Sequence, residues 1–194
     1  MANLLALAKV IEARDPHACG HAARVAALAD AVAGWLAWDD DQRAVLRLGG
    51  ELHDIGKLCV PERVLGKPGP LDDEERALVR RHPRAGASMV WAVKSLRPAI
   101  PGVLYHHERW DGTGYPTGRA EEQIPEEARL IALADAFDAI TSDRPNRPAL
   151  PPDRALDELR RAAGGQFDPE LTSAFVEAWE AGELTPSRPL AVAC

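Results

Sequence analysis

The chain has 194 residues and a formal net charge of −7, with 46% hydrophobic and 27% charged residues. These values are typical of one globular domain with a full core, and an acidic chain without a basic run is a poor nucleic-acid binder. No apolar run reaches the length of a membrane span, and Met1–Val10 lacks the cationic start of a signal peptide.

The three cysteines are odd in number and follow no spacing motif. This argues against a disulfide framework and for a reducing, cytoplasmic compartment. Cys19 and Cys59 lie near candidate metal ligands, but small buried side chains are the favoured interpretation.

Apolar residues recur at helical spacing along most of the chain and β-branched residues are sparse, so the predicted fold class is all-α. The predicted helices span about residues 1–14, 15–36, 39–55, 72–82, 83–96, 98–107, 125–141, 152–163 and 168–181. We expect residues 1–14 to be a helix or linker, 15–182 to be one domain, and 183–194 to be a loose tail.

The stretch from His53 to Lys57 lies at the C-terminal end of the helix predicted from Asp39 to about Ile55. Helical spacing places His53 and Asp54 near the core. A carboxylate there is costly unless a cation is paired with it, and adjacent imidazole and carboxylate ligands suit a first-row divalent ion. The alternative is an Asp54 that bonds only to the neighbouring imidazole, and the motif alone leaves both open.

Other histidines and acids stand at helix ends or on buried faces. The full set of candidate ligands is His21, His53, Asp54, His82, His106, His107 and Asp135. Each histidine taken singly could be a packed or capping residue. Together they exceed the ligands of one four-coordinate ion and suit two ions bridged by Asp54, with Fe, Mn, Ni, Co or Zn favoured over Mg or Ca. Two such ions activate water and hold a phosphoryl oxygen.

A series of motifs follows in chain order. They are Asp15-Pro16-His17, Gly20-His21, Arg24-Val25, Leu52-His53-Asp54-Ile55-Gly56-Lys57, Pro61, Lys67-Pro68-Gly69, His82, His106-His107-Glu108, Trp110-Asp111-Gly112-Thr113-Gly114-Tyr115-Pro116, Ile124-Pro125, Ala134-Asp135, Asp138-Ala139, Thr141-Ser142, Arg144-Pro145 and Phe167-Asp168-Pro169. This set spans about residues 13–170 and resembles the HD superfamily of metal-dependent phosphohydrolases. The fuller pattern resembles its HD-GYP branch, the cyclic di-GMP phosphodiesterases.

The resemblance implies an HD-domain helical bundle with a long Gly-Tyr-Pro loop and two divalent transition-metal ions, with Fe or Mn first. One ion would be held by His21, His53, Asp54 and Asp135, and the other by Asp54, His82, His106 and His107. A water between the ions would attack phosphorus in line. Lys57 would stabilise charge on the phosphate oxygens.

The resemblance also implies substrate-binding residues. Gly114, Tyr115 and Pro116 would line the pocket, and Arg144 and Arg147 would bind phosphates or guanine edges. Glu108 and Asp111 are expected to shape the loop. His17 replaces the Glu that binds a third ion in some members, and Asn146 stands where an aromatic residue is frequent, which puts a third ion and base stacking in doubt.

The leading hypothesis is a phosphodiesterase that converts cyclic di-GMP to pGpG, with GMP as a further product. The second is a catalytically weak or inactive module that binds a cyclic dinucleotide or a protein, with a diguanylate cyclase or a sensor protein as partner. The third is another HD phosphohydrolase acting on a nucleotide or alarmone, against which the Gly114-Tyr115-Pro116 loop counts.

Overall fold

The computed structural model describes residues 19–143 and 148–184. These two ranges contain nine α-helices and three short 3₁₀ helices, and they form no strand. The α-helices, labelled α1 to α9 in order, are His21–Trp35, Asp40–Leu52, Glu62–Leu65, Asp73–Val79, His82–Trp91, Ile100–Tyr105, Glu126–Thr141, Pro152–Ala162 and Pro169–Glu180. The 3₁₀ helices are Ile55–Cys59, Lys94–Ala99 and Glu121–Gln123. The all-α prediction is confirmed.

Several sequence predictions lie outside the described residues. They concern the helix at 1–14, the helix start at Asp15-Pro16, His17, Arg144, Arg147 and the tail beyond residue 184.

Acidic residues begin two of the helices, as predicted. Asp39 caps α2 by accepting from the Gln42 backbone N–H, while the Gln42 side chain accepts from the Asp39 backbone N–H. Asp72 and Glu75 make the same reciprocal pair at the start of α4. Each capping box satisfies backbone donors that a helix N-terminus leaves without partners.

Several predicted boundaries differ from the structure. The helix predicted over residues 83–96 ends at Trp91, and the short helix Glu62–Leu65 lies where no helix is predicted. Helix α1 begins at His21, inside the helix predicted over residues 15–36, because Gly20 has a left-handed φ of 70° that interrupts a helix there. Helix α2 ends at Leu52 rather than near Ile55, and the chain turns before the 3₁₀ helix Ile55–Cys59. These two breaks place His21 at the first position of one helix and His53 just after the last position of another.

The apolar side chains form two clusters. The first joins α1, α7, α8 and α9 and includes fully buried Val25, Leu130 and Phe175. The second joins the end of α2, the 3₁₀ helix Ile55–Cys59, α5 and α6, and includes Leu52 and Val103. Helices of the two clusters contact each other along α1, α2 and α7. The candidate ligands come from helices of both clusters, so packing the two together brings them to one place.

The predictions for the cysteines fail at both described positions. Cys59 is an exposed free thiol, and Cys19 is only partly buried. Neither is a small buried side chain. Leu184, which falls in the predicted tail, is buried in the first apolar cluster. None of the helices in the described ranges combines the length and the hydropathy that a bilayer crossing requires.

Candidate metal centre

The structure brings seven predicted ligands together, and we call them the His/Asp cluster. Its members are His21, His53, Asp54, His82, His106, His107 and Asp135. The ligand atoms form two groups, and within each group all atoms lie within 4.8 Å of one another. One group is Asp54 with His82, His106 and His107, and the other is Asp54 with His21 and His53. Asp135 joins the second group through its Oδ1, which is 3.3 Å from His21 Nε2. Asp54 belongs to both groups, as a bridging ligand would.

Three imidazoles are held in place by the same kind of local hydrogen bond. Nδ1 of His53, His82 and His106 lies 2.7, 2.8 and 2.9 Å from the backbone carbonyl three residues earlier, at Gly50, Val79 and Val103. Each carbonyl belongs to the last turn of a helix, where the helix supplies no N–H partner. A carbonyl only accepts, so Nδ1 carries the proton and Nε2 presents a lone pair to the cluster.

The Nε2 atoms of these rings carry no proton, so they cannot hydrogen-bond to one another. Nε2 of His82 and Nε2 of His106 are 3.2 Å apart, although both rings donate through Nδ1. Nε2 of His53 is buried, has no hydrogen-bond partner and lies 3.4 Å from Asp54 Oδ2. Two ligand atoms that each bind one ion at about 2.1 Å are separated from each other by distances similar to these two. A divalent cation therefore fits this donor set, because it would satisfy the lone pairs that the protein leaves unpaired.

The two oxygens of Asp54 face different neighbours. Oδ1 is 3.3 Å from His82 Nε2, while Oδ2 is 3.4 Å from His53 Nε2 and 4.0 Å from His21 Nε2. Lys57 Nζ donates to Oδ2 at 2.6 Å from the 3₁₀ helix that follows. The carboxylate is thus shared between both ligand groups and a half-buried ammonium.

Burial and charge keep Asp54, His106 and His107 in the protonation states that bind metal. Burial, reinforced by neighbouring imidazoles, lowers the pKa of His106 well below its usual range and lowers the pKa of His107 to about 4. Burial would raise the pKa of Asp54, but Lys57 and His53 hold it well below its usual range. At neutral pH these rings are uncharged and the carboxylate is ionised, which are the forms that bind metal.

His21 is oriented by a carboxylate that the sequence analysis did not include among the site residues. Its Nδ1 is 2.7 Å from Asp138 Oδ2, and Asp138 is buried and paired with Arg24, whose Nε is 2.5 Å from Oδ1. Burial lowers the pKa of His21, but hydrogen bonds to Asp135 and Asp138 outweigh this and raise it to about 10. Asp138 therefore fixes the ring, and a bound cation would replace the proton on Nε2.

Asp138→Asn is expected to weaken binding of the ion nearest His21 by about 10- to 100-fold, the usual cost of losing a carboxylate behind a ligating imidazole. Competition with a chromophoric chelator measures the affinity. Asp157→Asn, at a half-exposed acid on α8 that pairs with Arg160, is the matched control and should keep the wild-type value. Equal affinities for the two variants would contradict the orienting role of Asp138.

The Gly-Tyr-Pro loop is anchored beside the cluster by Glu108. This buried carboxylate accepts from the Thr117 backbone N–H at 2.6 Å, from Thr117 Oγ1 at 2.7 Å and from the Gly118 backbone N–H at 3.0 Å. The Tyr115 ring stacks on His107 with centroids 4.8 Å apart. Glu108 thus shapes the loop, as the sequence predicts, and the loop places Tyr115 directly against a candidate ligand.

A cavity of about 260 Å³ opens beside the cluster, which we call the cluster cavity. His107, Asp135, Gly114 and Tyr115 are among its lining residues, whereas Pro116 is not and instead accepts from Arg84 through its carbonyl.

Two arginines line the cluster cavity, and the sequence analysis named neither. Arg109 is paired with Asp111 at 2.7 Å, whereas the guanidinium of Arg80 lies 5.2 Å from the Tyr115 ring centroid without a carboxylate partner among the described residues. Arg80 therefore leaves a positive charge at the cavity wall.

Known proteins resemble this chain in sequence and in fold. The HD domain family model matches residues 6–171. A curated cyclic di-GMP phosphodiesterase from Pseudomonas aeruginosa is 44% identical over 178 residues, which cover 90% of this chain and 42% of that protein. A 3′3′-cGAMP-specific phosphodiesterase from Vibrio cholerae is 38% identical over 173 residues, which cover 89% of this chain and 38% of that protein. The chain spans less than half the length of these curated relatives.

A solved structure of an HDG"Y"P protein from Bdellovibrio bacteriovorus aligns with a TM-score of 0.67 at 25% identity, covering 84% of this chain and 52% of that one. The family match covers most of the chain, and the predicted resemblance is confirmed. The chain belongs to the HD domain family and, with its Gly114-Tyr115-Pro116 loop, to the HD-GYP branch.

Proposed function

We propose that this chain is a metal-dependent phosphodiesterase that hydrolyses cyclic di-GMP to pGpG, with GMP as a further product. The observation that carries the proposal is the arrangement of two ligand groups around the two oxygens of Asp54, beside an open cavity. Relatives named as cyclic di-GMP and 3′3′-cGAMP phosphodiesterases support a cyclic dinucleotide as the substrate class.

The His/Asp cluster would hold two divalent transition-metal ions, with Fe or Mn proposed first. His21, His53 and Asp135 would serve one ion, and His82, His106 and His107 the other, with Asp54 between them. When bound, such a pair supplies a nucleophilic water at neutral pH and Lewis-acid stabilisation of a phosphoryl group.

The cationic side chains of Lys57 and Arg80 would position the substrate. Lys57 lies within hydrogen-bond distance of Asp54 and is only half-buried, so its ammonium can also donate to a phosphate oxygen at the cluster. Arg80 offers a guanidinium at the cavity wall, where a second phosphodiester can pair with it. Tyr115 presents a ring between His107 and Arg80, on which a nucleobase can stack.

The proposal is tested by loading the purified protein with Mn(II) or Fe(II), incubating it with cyclic di-GMP and separating the nucleotides by chromatography. We expect cyclic di-GMP to disappear, pGpG to form, and a chelator to stop both. Full metal occupancy with no product would contradict the proposal, and binding without cleavage would support the alternative binding module. Cleavage of an alarmone or a nucleoside triphosphate alone would favour another HD phosphohydrolase activity.

Two further expectations stay predictions. One is that a diguanylate cyclase or a sensor protein binds the chain, and the other is that the chain works in the cytoplasm. Pull-down with a diguanylate cyclase and cell fractionation would test them.

A further inference from the structure

A second cavity, of about 340 Å³, lies next to the cluster cavity and has no role in the arrangement described so far. We call it the α7–α8 cavity, because Ile140 of α7 and Leu159 of α8 line it. Ala136, Gln166 and Phe167 line both cavities. The two cavities therefore meet over a short ridge that includes the small side chain of Ala136.

One face of α7 forms a continuous floor under both cavities. Ala132, Asp135 and Ala136 line the cluster cavity, and Ala136, Ala139 and Ile140 line the α7–α8 cavity. Eight helical steps separate the ends of this floor, which is about 12 Å at 1.5 Å per residue. The floor passes the candidate metal ligand Asp135 and continues into a second pocket, so it suits a ligand that reaches into both cavities.

The walls of the α7–α8 cavity have the chemistry of a nucleobase pocket. Leu150, Leu159 and the buried ring of Phe167 supply apolar surface, and Glu158 and Gln166 supply polar groups. Apolar walls with a few polar groups are typical of small-molecule sites. A flat heterocycle with a hydrogen-bonding edge meets both requirements.

Gln166 is held by its backbone and has a free side chain. Its backbone N–H donates to Ala162 at 2.9 Å, and its carbonyl accepts from the Trp110 N–H at 3.1 Å, so the turn is tied to α8 and to the Gly-Tyr-Pro loop. Its exposed side-chain amide makes no hydrogen bond among the described residues. An amide offers both donors and an acceptor to a ligand at the ridge.

Glu158 adds an acceptor that distinguishes between purines. Its carboxylate pairs with Arg161 at 2.9 Å on the surface, and such exposed pairs contribute little stability, so the carboxylate is available. An ionised carboxylate accepts the N–H donors that guanine presents on its Watson–Crick edge. Adenine presents an acceptor at the equivalent ring nitrogen and is disfavoured there.

We propose that the α7–α8 cavity is the subsite for the second nucleobase of a cyclic dinucleotide, with Gln166 and Glu158 reading a guanine edge. This inference rests on the proposed function, since it takes the cluster cavity as the place where one phosphodiester is bound.

Steady-state kinetics of the metal-loaded protein test the subsite with cyclic di-GMP and cyclic di-AMP. Gln166→Ala is expected to raise KM for cyclic di-GMP about tenfold, the effect of about one lost hydrogen bond, with the loss in KM rather than in kcat. Glu158→Gln is expected to lower the kcat/KM ratio of cyclic di-GMP over cyclic di-AMP about tenfold. Gln123→Ala, at an exposed glutamine outside both cavities, is the control and should keep wild-type constants.

The outcomes separate the subsite from the proposed function. Wild-type KM and wild-type selectivity in both variants, with cyclic di-GMP cleaved, would overturn the subsite and leave the proposed function intact. If the wild type cleaves neither dinucleotide, calorimetry measures cyclic di-GMP binding to the same proteins. About tenfold weaker binding by Gln166→Ala would then support the subsite and contradict the proposed function, and equal or absent binding would contradict both.

Discussion

Replacing Asp54 with alanine is expected to remove both metal ions and to lower turnover of cyclic di-GMP by on the order of 1,000-fold or more, as for groups that act as one catalytic unit. The reason is that the two oxygens of Asp54 face both ligand groups, and among the described residues Asp54 alone belongs to both. Elemental analysis and nucleotide chromatography on the same preparation measure the two effects.

The control for this prediction is Asp40→Ala, since Asp40 is an exposed acid in the first turn of α2 and lies outside the His/Asp cluster. It should retain metal and activity. Thermal unfolding of both variants separates loss of metal from loss of fold. An Asp54→Ala protein that keeps the wild-type rate would remove Asp54 from the chemistry.

Gly56→Ala is expected to have the largest effect on stability. A Cβ at this position would stand 1.9 Å from the His82 carbonyl oxygen and 2.5 Å from the Gly86 backbone nitrogen. Both contacts are backbone atoms, so the 3₁₀ helix and α5 must move apart. We expect the free energy of unfolding to fall by about 3 kcal/mol, and we expect metal held through His82 to be lost. Urea unfolding and metal content provide the two readouts.

Gly66→Ala is the matched control, because its Cβ would meet only the Glu62 carbonyl oxygen, at 3.4 Å. Its free energy of unfolding should stay within about 0.5 kcal/mol of the wild type. A Gly56→Ala protein with the same urea midpoint as Gly66→Ala would contradict the close packing of the 3₁₀ helix on α5.

The sequence predicts most of the helices and the members of the cluster because both signals are local. Helix α7 is a long run of residues buried on almost all sides that begins just after Pro125, and α2 shows its acidic cap. The cluster is predictable because imidazoles and carboxylates at helix ends are unusual enough to be counted without knowing how the helices pack. The breaks at Gly20 and after Leu52 were missed, since the periodic pattern continues across both.

The contacts between distant segments could not be predicted from local patterns. Arg24 and Asp138 are 114 residues apart, and only the packing of α1 on α7 shows that they meet behind His21. Their three-residue spacing from His21 and Asp135 is a local signal, because it places each on the face of a neighbouring ligand. Both residues also belong to motifs that carry the resemblance. Arg80 and Gln166 carry no local signal, since an exposed arginine and a glutamine in a turn are common in any protein.

The central claim is that the folded chain brings its imidazoles and carboxylates together to hold a pair of ions. The most direct test is the metal content of the wild-type protein, measured by elemental analysis after reconstitution with Mn(II) or Fe(II) and removal of the excess. The account predicts two ions per chain. One ion or none at saturation would contradict it.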